Sequence, residues 1–308
     1  MTTLLEPDPD SDSRFAAVLG EALAHAASEP ILLARLEEFF SPQPARLAES
    51  SEEETQLNSQ IHRVVAAFGG APRLIIQEID ASKPMYDTYM SAALSEAMAV
   101  FHRARRSVCR AQAFMIGAHM LGSATNLFEE PVSGEHRAAM RRNADAVFWE
   151  HAETSFIRLA SYWDRLGQIL DFAFFSIRQY ERDGFSAVID RIRANVLRMN
   201  PDYEVDTSWR ELWSYKKSER EDGLQWLLSR RNLLVHSMHL REQLPSHDDE
   251  LFESAFNHLD ARLRRDLAPG TQAKEVERLH MHLSHAARLF AHVLKLCEHH
   301  ANRDRAFG

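Results

Sequence analysis

The segment SRRNLLVHSMH contains three side chains that could together act on an anion: Arg231, Asn232 and His236. On a helix, Asn232 and His236 are one turn apart, so the amide can hydrogen-bond the imidazole and fix its tautomer and orientation. An imidazole held in this way transfers protons, and a guanidinium stabilises negative charge as it develops. This segment is therefore the strongest candidate for a catalytic site.

A helical projection of residues 224–240, at ~100° per residue, places Arg231 at the centre of an apolar stripe. The stripe consists of Leu224, Leu227, Leu228, Leu234, Val235 and Met238. Burying an unpaired charge is strongly unfavourable, so Arg231 is predicted to have an acidic partner or to open onto a cleft that holds an anion.

A second face of the same helix forms a polar seam of Ser229, Asn232, His236 and His239. Arg231 points well away from His236 on an ideal helix. The two residues would meet at one site through the length of the arginine, a local distortion, or a second copy of the helix. A symmetric dimer would supply that copy.

The elements that position this segment are predicted to be helices throughout. The 308 residues include only 11 glycines and 11 prolines, and long stretches contain neither. This scarcity indicates an all-α protein. The segment NLFEEPVSGEH at 126–136 is the best domain boundary, which predicts a disordered terminus at 1–12, a mainly helical N-terminal region of unknown role at 13–130, and a helical bundle at 131–303.

Helical periodicity and breaking residues give the predicted elements. The predicted helices are 13–40, a helix opened by a Ser51–Glu54 capping box and stopped at Gly69, one from Pro84 to Phe128, 137–182, 185–199, one opened by Ser208–Glu211, and 272–301. The predicted core stripe of the long fourth helix is Leu159, Trp163, Leu166, Leu170, Ala173 and Ile177. That of the last helix is Leu283, Ala286, Phe290, Val293 and Cys297.

Charge and composition restrict the class of protein. A net charge of -9 argues against a protein that binds nucleic acid through its overall field, although a local basic groove stays open. The acidic N-terminus has no signal-peptide pattern, and the apolar windows AFMIGAHMLG and LDFAFFSI are shorter than the ~20 residues of a membrane span. Two cysteines without CxxC spacing favour a reducing compartment. We therefore predict a cytoplasmic protein that does not interact with a membrane.

The order Arg231-Asn232-Leu233-Leu234-Val235-His236 resembles the motif of the HEPN superfamily, in which an arginine, a polar residue and three spacers precede a histidine. The segment YWDRLGQILD also resembles the preceding bundle helix of some HEPN groups. The resemblance covers the motif helix and, more loosely, the helices from 137 to 301. It implies an α-helical bundle of HEPN type, commonly a homodimer, and in many members an endoribonuclease without metal or other cofactor.

The resemblance also implies roles for individual residues. The RNA 2'-hydroxyl would attack the adjacent phosphate, His236 would transfer protons, and Arg231 would stabilise the phosphoryl oxygens. Asn232 would orient His236 or contact the phosphate, and Arg230, His239 and Asp164 are supporting candidates. A toxin or phage-defence effector of this type would have RNA as its substrate and would be controlled by an antitoxin or another regulatory protein.

Other polar features allow two interpretations each. Asp164 and Asp171 share a helix face and either could pair with Arg231, although a solvated face is the favoured interpretation. The histidines of the last helix are predicted to be solvated rather than to bind metal. The segments HRARRSVCR (102–110) and HRAAMRR (136–142) would suit an RNA-binding rim or an ordinary solvated face. Trp209, Trp213 and Tyr215 would stack on bases or, more commonly, pack in the core.

Two functions therefore compete. The first is a homodimeric endoribonuclease that cuts RNA without metal. The second is a non-catalytic helical module that uses the same bundle to dimerise or to bind a partner. Whether Arg231 and His236 line a cleft or lie in the core is the geometric feature that separates them.

Overall fold

The computed structural model describes residues 9–68, 89–123, 132–177, 184–236 and 267–307. These residues are almost entirely helical and contain no strand, which confirms the prediction of an all-α protein. The eight α-helices are α1 (Pro9–Glu37), α2 (Ser51–Phe68), α3 (Tyr89–Ser123), α4 (Gly134–Phe175), α5 (Phe185–Ile192), α6 (Thr207–Lys217), α7 (Leu224–His236) and α8 (Gln272–Phe307).

The chain divides into two compact units, Met1–Gln43 and Pro44–Gly308. The first unit contains α1, which exposes several large apolar side chains, among them Phe15 and Leu23. Within it, Arg14–Glu37 is long and apolar enough to cross a membrane by length and composition alone. Of the apolar windows considered above, LDFAFFSI lies at the end of α4 with Leu170–Phe174 buried.

The second unit is a helical bundle built around α4, which packs against α3, α5, α7 and α8. The predicted core stripe of α4 is buried from Leu159 to Ala173, whereas Ile177 is half-buried. The composition break at 126–136 lies between α3 and α4, two helices of the same unit that pack closely together. The segment between them, 124–131, lies outside the described residues.

Helix α4 ends earlier than predicted, at Phe175 rather than near 182. Ser176 adopts a left-handed conformation with φ of 55°, and its backbone N–H donates to the carbonyl oxygens of Asp171 and Phe172. Glycine or asparagine usually marks this type of helix end. Because Ser176 is neither glycine nor asparagine, the sequence did not indicate that the helix ends here.

The helix caps also differ from the predicted capping boxes. For α2 the cap is Ser50, whose hydroxyl accepts from the N–H of Glu53, one residue before the predicted pair. For α6 it is Asp206, whose carboxylate accepts from the N–H groups of Ser208 and Trp209. Ser208 is itself buried. The predicted Ser51–Glu54 and Ser208–Glu211 boxes were therefore wrong by one and two residues.

The prediction of solvated histidines on α8 was also wrong. His280 and His282 are buried, and a ring nitrogen of His280 lies 2.8 Å from Gln112 Oε1. His292 and His299 are half-buried, with Nδ1 atoms 3.1 Å from Ser208 Oγ and 2.9 Å from Asp206 Oδ2. The reason is that α8 packs against α2, α3, α4 and α6, which covers far more than one stripe. The predicted apolar stripe of α8 is confirmed as fully buried.

Gly167 sets the closest approach between α4 and α5. A Cβ atom at this position would lie 2.9 Å from the backbone N and Cα atoms of Phe185. Both atoms belong to backbone, so neither can rotate away. The missing side chain is therefore what allows α5 to pack on the face of α4.

We expect Gly167→Ala to lower the free energy of unfolding by about 1–3 kcal/mol, because the added methyl group forces the two helices apart. Gly117→Ala in α3 is the matched control, since its Cβ would meet nothing within 4 Å. There the better helix former should raise stability by about 0.5–1 kcal/mol. Urea unfolding followed by circular dichroism measures both, and equal effects would contradict the close-approach argument.

Candidate functional site

The motif helix α7 is oriented by a buried face that differs from the predicted one. The buried residues are Leu224, Trp226, Leu227, Arg230, Leu233 and Leu234, whereas Val235 is 47% exposed. Arg230, and not Arg231, therefore occupies the apolar stripe. The predicted stripe did not include Trp226 and Leu233, which are both buried. Because consecutive residues lie ~100° apart around a helix, their inclusion moves the centre of the buried face from Arg231 towards Arg230.

Arg230 is fully buried and anchors α7 to the last helix. Its Nη2 atom lies 3.0 Å from Glu275 Oε1, and its Nη1 atom donates to the carbonyl oxygen of Leu267. The guanidinium also lies over the rings of Phe156 and Trp226, 5.5 and 5.6 Å from their centroids. Arg230 was a supporting site candidate, and these contacts place it inside the core.

Glu275 is the centre of the polar network that holds Arg230. Its Oε1 atom also accepts from Arg278 at 2.5 Å and from the backbone N–H of Gly270 at 2.7 Å. Arg278 in turn pairs with Glu221, in the turn that precedes α7. Because Glu275 is fully buried, this one carboxylate compensates two guanidinium groups and ties α7 to α8.

Arg231 lies on the outer side of the same helix and is half-buried. Its Nη1 atom donates to Asn232 Oδ1 at 3.0 Å, and Asn232 is exposed. The prediction that Arg231 sits in the middle of the apolar stripe was thus wrong. Arg231 and Asn232 are instead adjacent polar groups at the surface of α7.

The carboxylate of Asp164, on α4, interacts electrostatically with Arg231. Burial raises the pKa of Asp164, and the positive charges of Arg231 and Arg165 act in the opposite direction. Asp171, the other candidate partner, is buried and pairs with Arg191 at 2.5 Å. The favoured interpretation of a solvated aspartate face was therefore wrong, and Asp164 is the candidate that the fold brings near Arg231.

Gly184, just before α5, leaves the space that the Asp164 carboxylate occupies. A Cβ atom at Gly184 would lie 2.8 Å from Asp164 Oδ1. The carboxylate thus lies beside the N-terminus of α5, where the helix dipole favours negative charge. The group of Arg231 and Asn232 from α7 and Asp164 from α4, which we call the α7–α4 site, lies close to the start of α5.

His236 is the last residue of α7, and its side chain lies outside the described part of the structure, as do His239 and Met238. Helix geometry places its backbone ~7.5 Å along the axis from Arg231 and ~140° around it. Of the predicted polar seam, Ser229 is half-buried and Asn232 is exposed. The structure therefore describes the contacts of Arg231 and Asn232 but not those of the His236 side chain.

The aromatic residues before the motif are mainly core residues. Trp209 and Tyr215 are buried, and Trp213 stacks on Trp209 with a centroid distance of 5.6 Å. Arg193, Lys216 and Lys217 lie within about 5 Å of the Trp213 ring centroid. Core packing is the interpretation that the contacts of Trp209 and Tyr215 support.

Arg158 lies beside the arginines of the segment 102–110, and the sequence pattern did not indicate this. It lies on α4 and reaches α3, where its Nη1 atom donates to Ser107 Oγ at 2.6 Å. The sequence pattern shows only those arginines that follow one another within a segment. A residue that joins such a run from another helix leaves no local signal.

Comparison with known proteins adds no assignment. No family model matches the chain, and neither a curated protein nor a solved structure shows a significant match. Within the described residues, no group of three or more His, Cys, Asp or Glu side chains is arranged to hold a metal ion. Any functional assignment therefore depends on the motif and on the contacts of the α7–α4 site.

Proposed function

We propose that this chain is an endoribonuclease of HEPN type that cleaves RNA without a metal ion and acts as a homodimer. The observation that carries the proposal is the division of the two consecutive arginines. Arg230 is buried in the core with Glu275, whereas Arg231 is half-buried, donates to Asn232 and exerts its charge on Asp164. The arginine that the motif requires is thus the one that a substrate can reach.

The proposed reaction forms a bond between the RNA 2'-oxygen and the adjacent phosphorus and breaks the bond from phosphorus to the 5'-oxygen. His236 transfers a proton between the 2'-hydroxyl, or the leaving 5'-oxygen, and water. Arg231 stabilises the negative charge on the phosphoryl oxygens. The products are a cyclic phosphate end and a 5'-hydroxyl end.

Asn232 has a defined place in this scheme. Its side-chain oxygen accepts from Arg231 at 3.0 Å, so its NH₂ group is the end that can donate. That group would hold the His236 ring or a phosphate oxygen. Asp164 would keep Arg231 oriented through its charge, at the cost of weakening the attraction of the site for phosphate.

On one copy of the motif helix, the backbone positions of Arg231 and His236 lie ~140° apart around the axis. A two-fold axis near α7 would bring the Arg231 of one copy towards the His236 of the other. We therefore propose the homodimer as the active form. A toxin or defence effector of this kind is also expected to have a regulatory protein partner.

The test is cleavage of labelled single-stranded RNAs of varied sequence by the full chain in the presence of EDTA. We expect His236→Ala and Arg231→Ala to lower the cleavage rate at least about a hundredfold, because each removes a group that acts on the transition state. The matched controls are His62→Ala and Arg198→Ala, which change exposed residues of the same types on α2 and after α5. Those two variants should cleave at the wild-type rate.

Two results would contradict the proposal. Equal cleavage by wild type and His236→Ala would assign the activity to a contaminant. No cleavage by either protein, with cyclic-phosphate ends absent from every RNA, would favour the second candidate function, a non-catalytic interaction module. The exposed apolar side chains of α1, including Phe15, Val18 and Leu23, are the observation that favours this alternative.

A further inference from the structure

Arginines from two helices gather on one surface of the bundle. Arg103, Arg106 and Arg110 occur on α3 at spacings of three and four, so they share one helix face. Arg158 of α4 reaches the same face, where its Nη1 atom donates to the carbonyl oxygen of Arg103 at 3.1 Å and to Ser107 Oγ at 2.6 Å. We call these four residues the α3–α4 arginine cluster.

The hydrogen bonds to α3 hold Arg158 in a fixed position although it lies among like charges. Burial lowers the pKa of Arg158, and the charges of Arg110, Arg103 and Arg106 lower it further. The pKa of neighbouring His102 is lowered by burial and by Arg105 and Arg106. The cluster is therefore a concentration of positive charge with internal repulsion.

Three members of this cluster are not neutralised by a carboxylate of the described residues. Among the residues that the structure describes, no ion pair joins Arg103, Arg106 or Arg158 to an aspartate or glutamate. The chain as a whole contains 45 acidic residues against 36 lysines and arginines, so acidic partners are plentiful elsewhere. An external anion would relieve the repulsion between Arg158 and the α3 arginines.

We infer that the α3–α4 arginine cluster binds the sugar-phosphate backbone of single-stranded RNA, an inference that rests on the proposed nuclease function. Guanidinium groups match phosphate oxygens in geometry and charge. From Arg103 to Arg110 the cluster extends ~10 Å along α3, which is long enough to contact more than one phosphate. The exposed members, Arg103 and Arg106, are accessible to such a strand.

The residues between the arginines favour a nucleic acid over a lipid surface. A helix that binds a membrane surface presents large apolar side chains to the acyl boundary beside its basic residues. Here Ala104 and Val108 are buried in the bundle, and the Ser107 hydroxyl accepts a hydrogen bond from Arg158. The described residues between Arg103 and Arg110 therefore offer no large apolar side chain to an acyl boundary.

The cluster is separate from the α7–α4 site. Arg158 and Asp164 are six residues apart on α4, which corresponds to ~9 Å along the helix and ~120° around it. A substitution in the cluster therefore does not remove a group from the reacting phosphate. The cluster gives the N-terminal half of the bundle a role in holding the substrate.

The test measures binding of a fluorescently labelled 2'-O-methyl RNA, which lacks the attacking hydroxyl and so reports binding without cleavage. The wild-type chain is compared with Arg103→Ala/Arg106→Ala and with a control of equal charge change, Arg198→Ala/Arg210→Ala, which lies outside both arginine-rich segments. All four positions are exposed, so folding should be retained. Anisotropy titrations at several salt concentrations give the dissociation constant and its salt dependence.

We expect the cluster variant to bind at least tenfold more weakly and the control variant to stay within threefold of wild type. The slope of log affinity against log salt should fall by about 1.4 for two lost phosphate contacts with a single strand. Equal weakening by both variants would overturn the inference, because it would reduce the effect to net charge. So would unchanged RNA binding together with lost binding to phosphatidylglycerol vesicles.

The outcome is independent of catalysis. If the cluster variant loses RNA binding and the wild-type chain never cleaves RNA, the binding surface stands and the proposed nuclease activity fails. If the wild-type chain cleaves RNA and the cluster variant binds normally, the activity stands and the inference fails.

Discussion

Replacing Glu275 by alanine is expected to lower the free energy of unfolding by about 3–5 kcal/mol, the range for breaking a buried ion pair by removing one partner. Glu275 is fully buried and is the acceptor for both Arg230 and Arg278. Its removal leaves the fully buried guanidinium of Arg230 without a compensating carboxylate. The N–H of Gly270 loses its acceptor as well.

The matched control is Glu277→Ala, two residues further along α8. The Glu277 side chain is 60% exposed and pairs with Lys274 at 3.1 Å, a surface pair whose contribution is at most about 1 kcal/mol. Urea unfolding at pH 7.5 measures both variants. If Glu275→Ala lost no more stability than Glu277→Ala, the network would not be what anchors α7.

Acidification is expected to destabilise the chain through His282. This residue is fully buried, and its ring stacks on Trp226 at a centroid distance of 5.4 Å. Burial, followed by the charge of His285, lowers the pKa of His282 to about 3. In the unfolded chain the same imidazole has a pKa near ~6.5.

The pH window follows from these two values. Between pH ~6.5 and ~3 the unfolded chain binds a proton on this imidazole and the folded chain does not, so protonation favours unfolding. The stability associated with neutral His282 is complete above the unfolded pKa and is lost as the pH falls. The loss should reach about 2 kcal/mol at pH 5 and about 3 kcal/mol at pH 4.

The measurement compares wild type, His282→Asn and His62→Asn by urea unfolding from pH 7.5 to pH 4. Asparagine keeps a polar atom towards Tyr215, whose hydroxyl lies 3.5 Å from His282 Nδ1, but it does not titrate. His282→Asn is expected to be less stable at pH 7.5 and to show a flatter pH profile. His62 is exposed, so its variant should follow wild type, and identical profiles for all three proteins would refute the assignment to His282.

The helical class and most helices could be predicted because their signals are local. Scarce glycine and proline, together with stripes such as Leu283–Phe290–Cys297, depend only on residues within one helix. The boundaries were less accurate, because Ser50 and Asp206 lie close to other residues with similar capping ability. The αL serine at position 176 carried no signal at all.

The candidate site was harder to predict, because a helix face depends on small angular differences. Weighting Trp226 and Leu233 would have selected Arg230 as the buried arginine instead of Arg231. The partners could not be read locally, since Glu275 lies 45 residues from Arg230. One available signal was the α8 stripe, which reaches Leu279 and Glu275 when it is extended two turns towards the N-terminus.

The histidines of α8 were misjudged for a related reason. Their number suggested a polar surface, but the number of neighbouring helices decides how much of α8 is covered. That quantity depends on the assembly of α2, α3, α4 and α6 around it. His280, three residues before the buried Leu283, and His282, four residues before the buried Ala286, had positions that pointed to the core.

Because Arg230 is buried with Glu275 and Arg231 faces outwards, the sequence pattern that specifies this helix extends beyond the six-residue motif. A chain that folds this helix in the same way needs an arginine immediately before the motif arginine and a glutamate in the first turn of its final helix. A search with the six-residue motif alone finds only the surface half of this arrangement. Requiring the tandem arginines together with the distant glutamate would select relatives that share the anchoring of the helix, even where the number of residues between α7 and α8 varies.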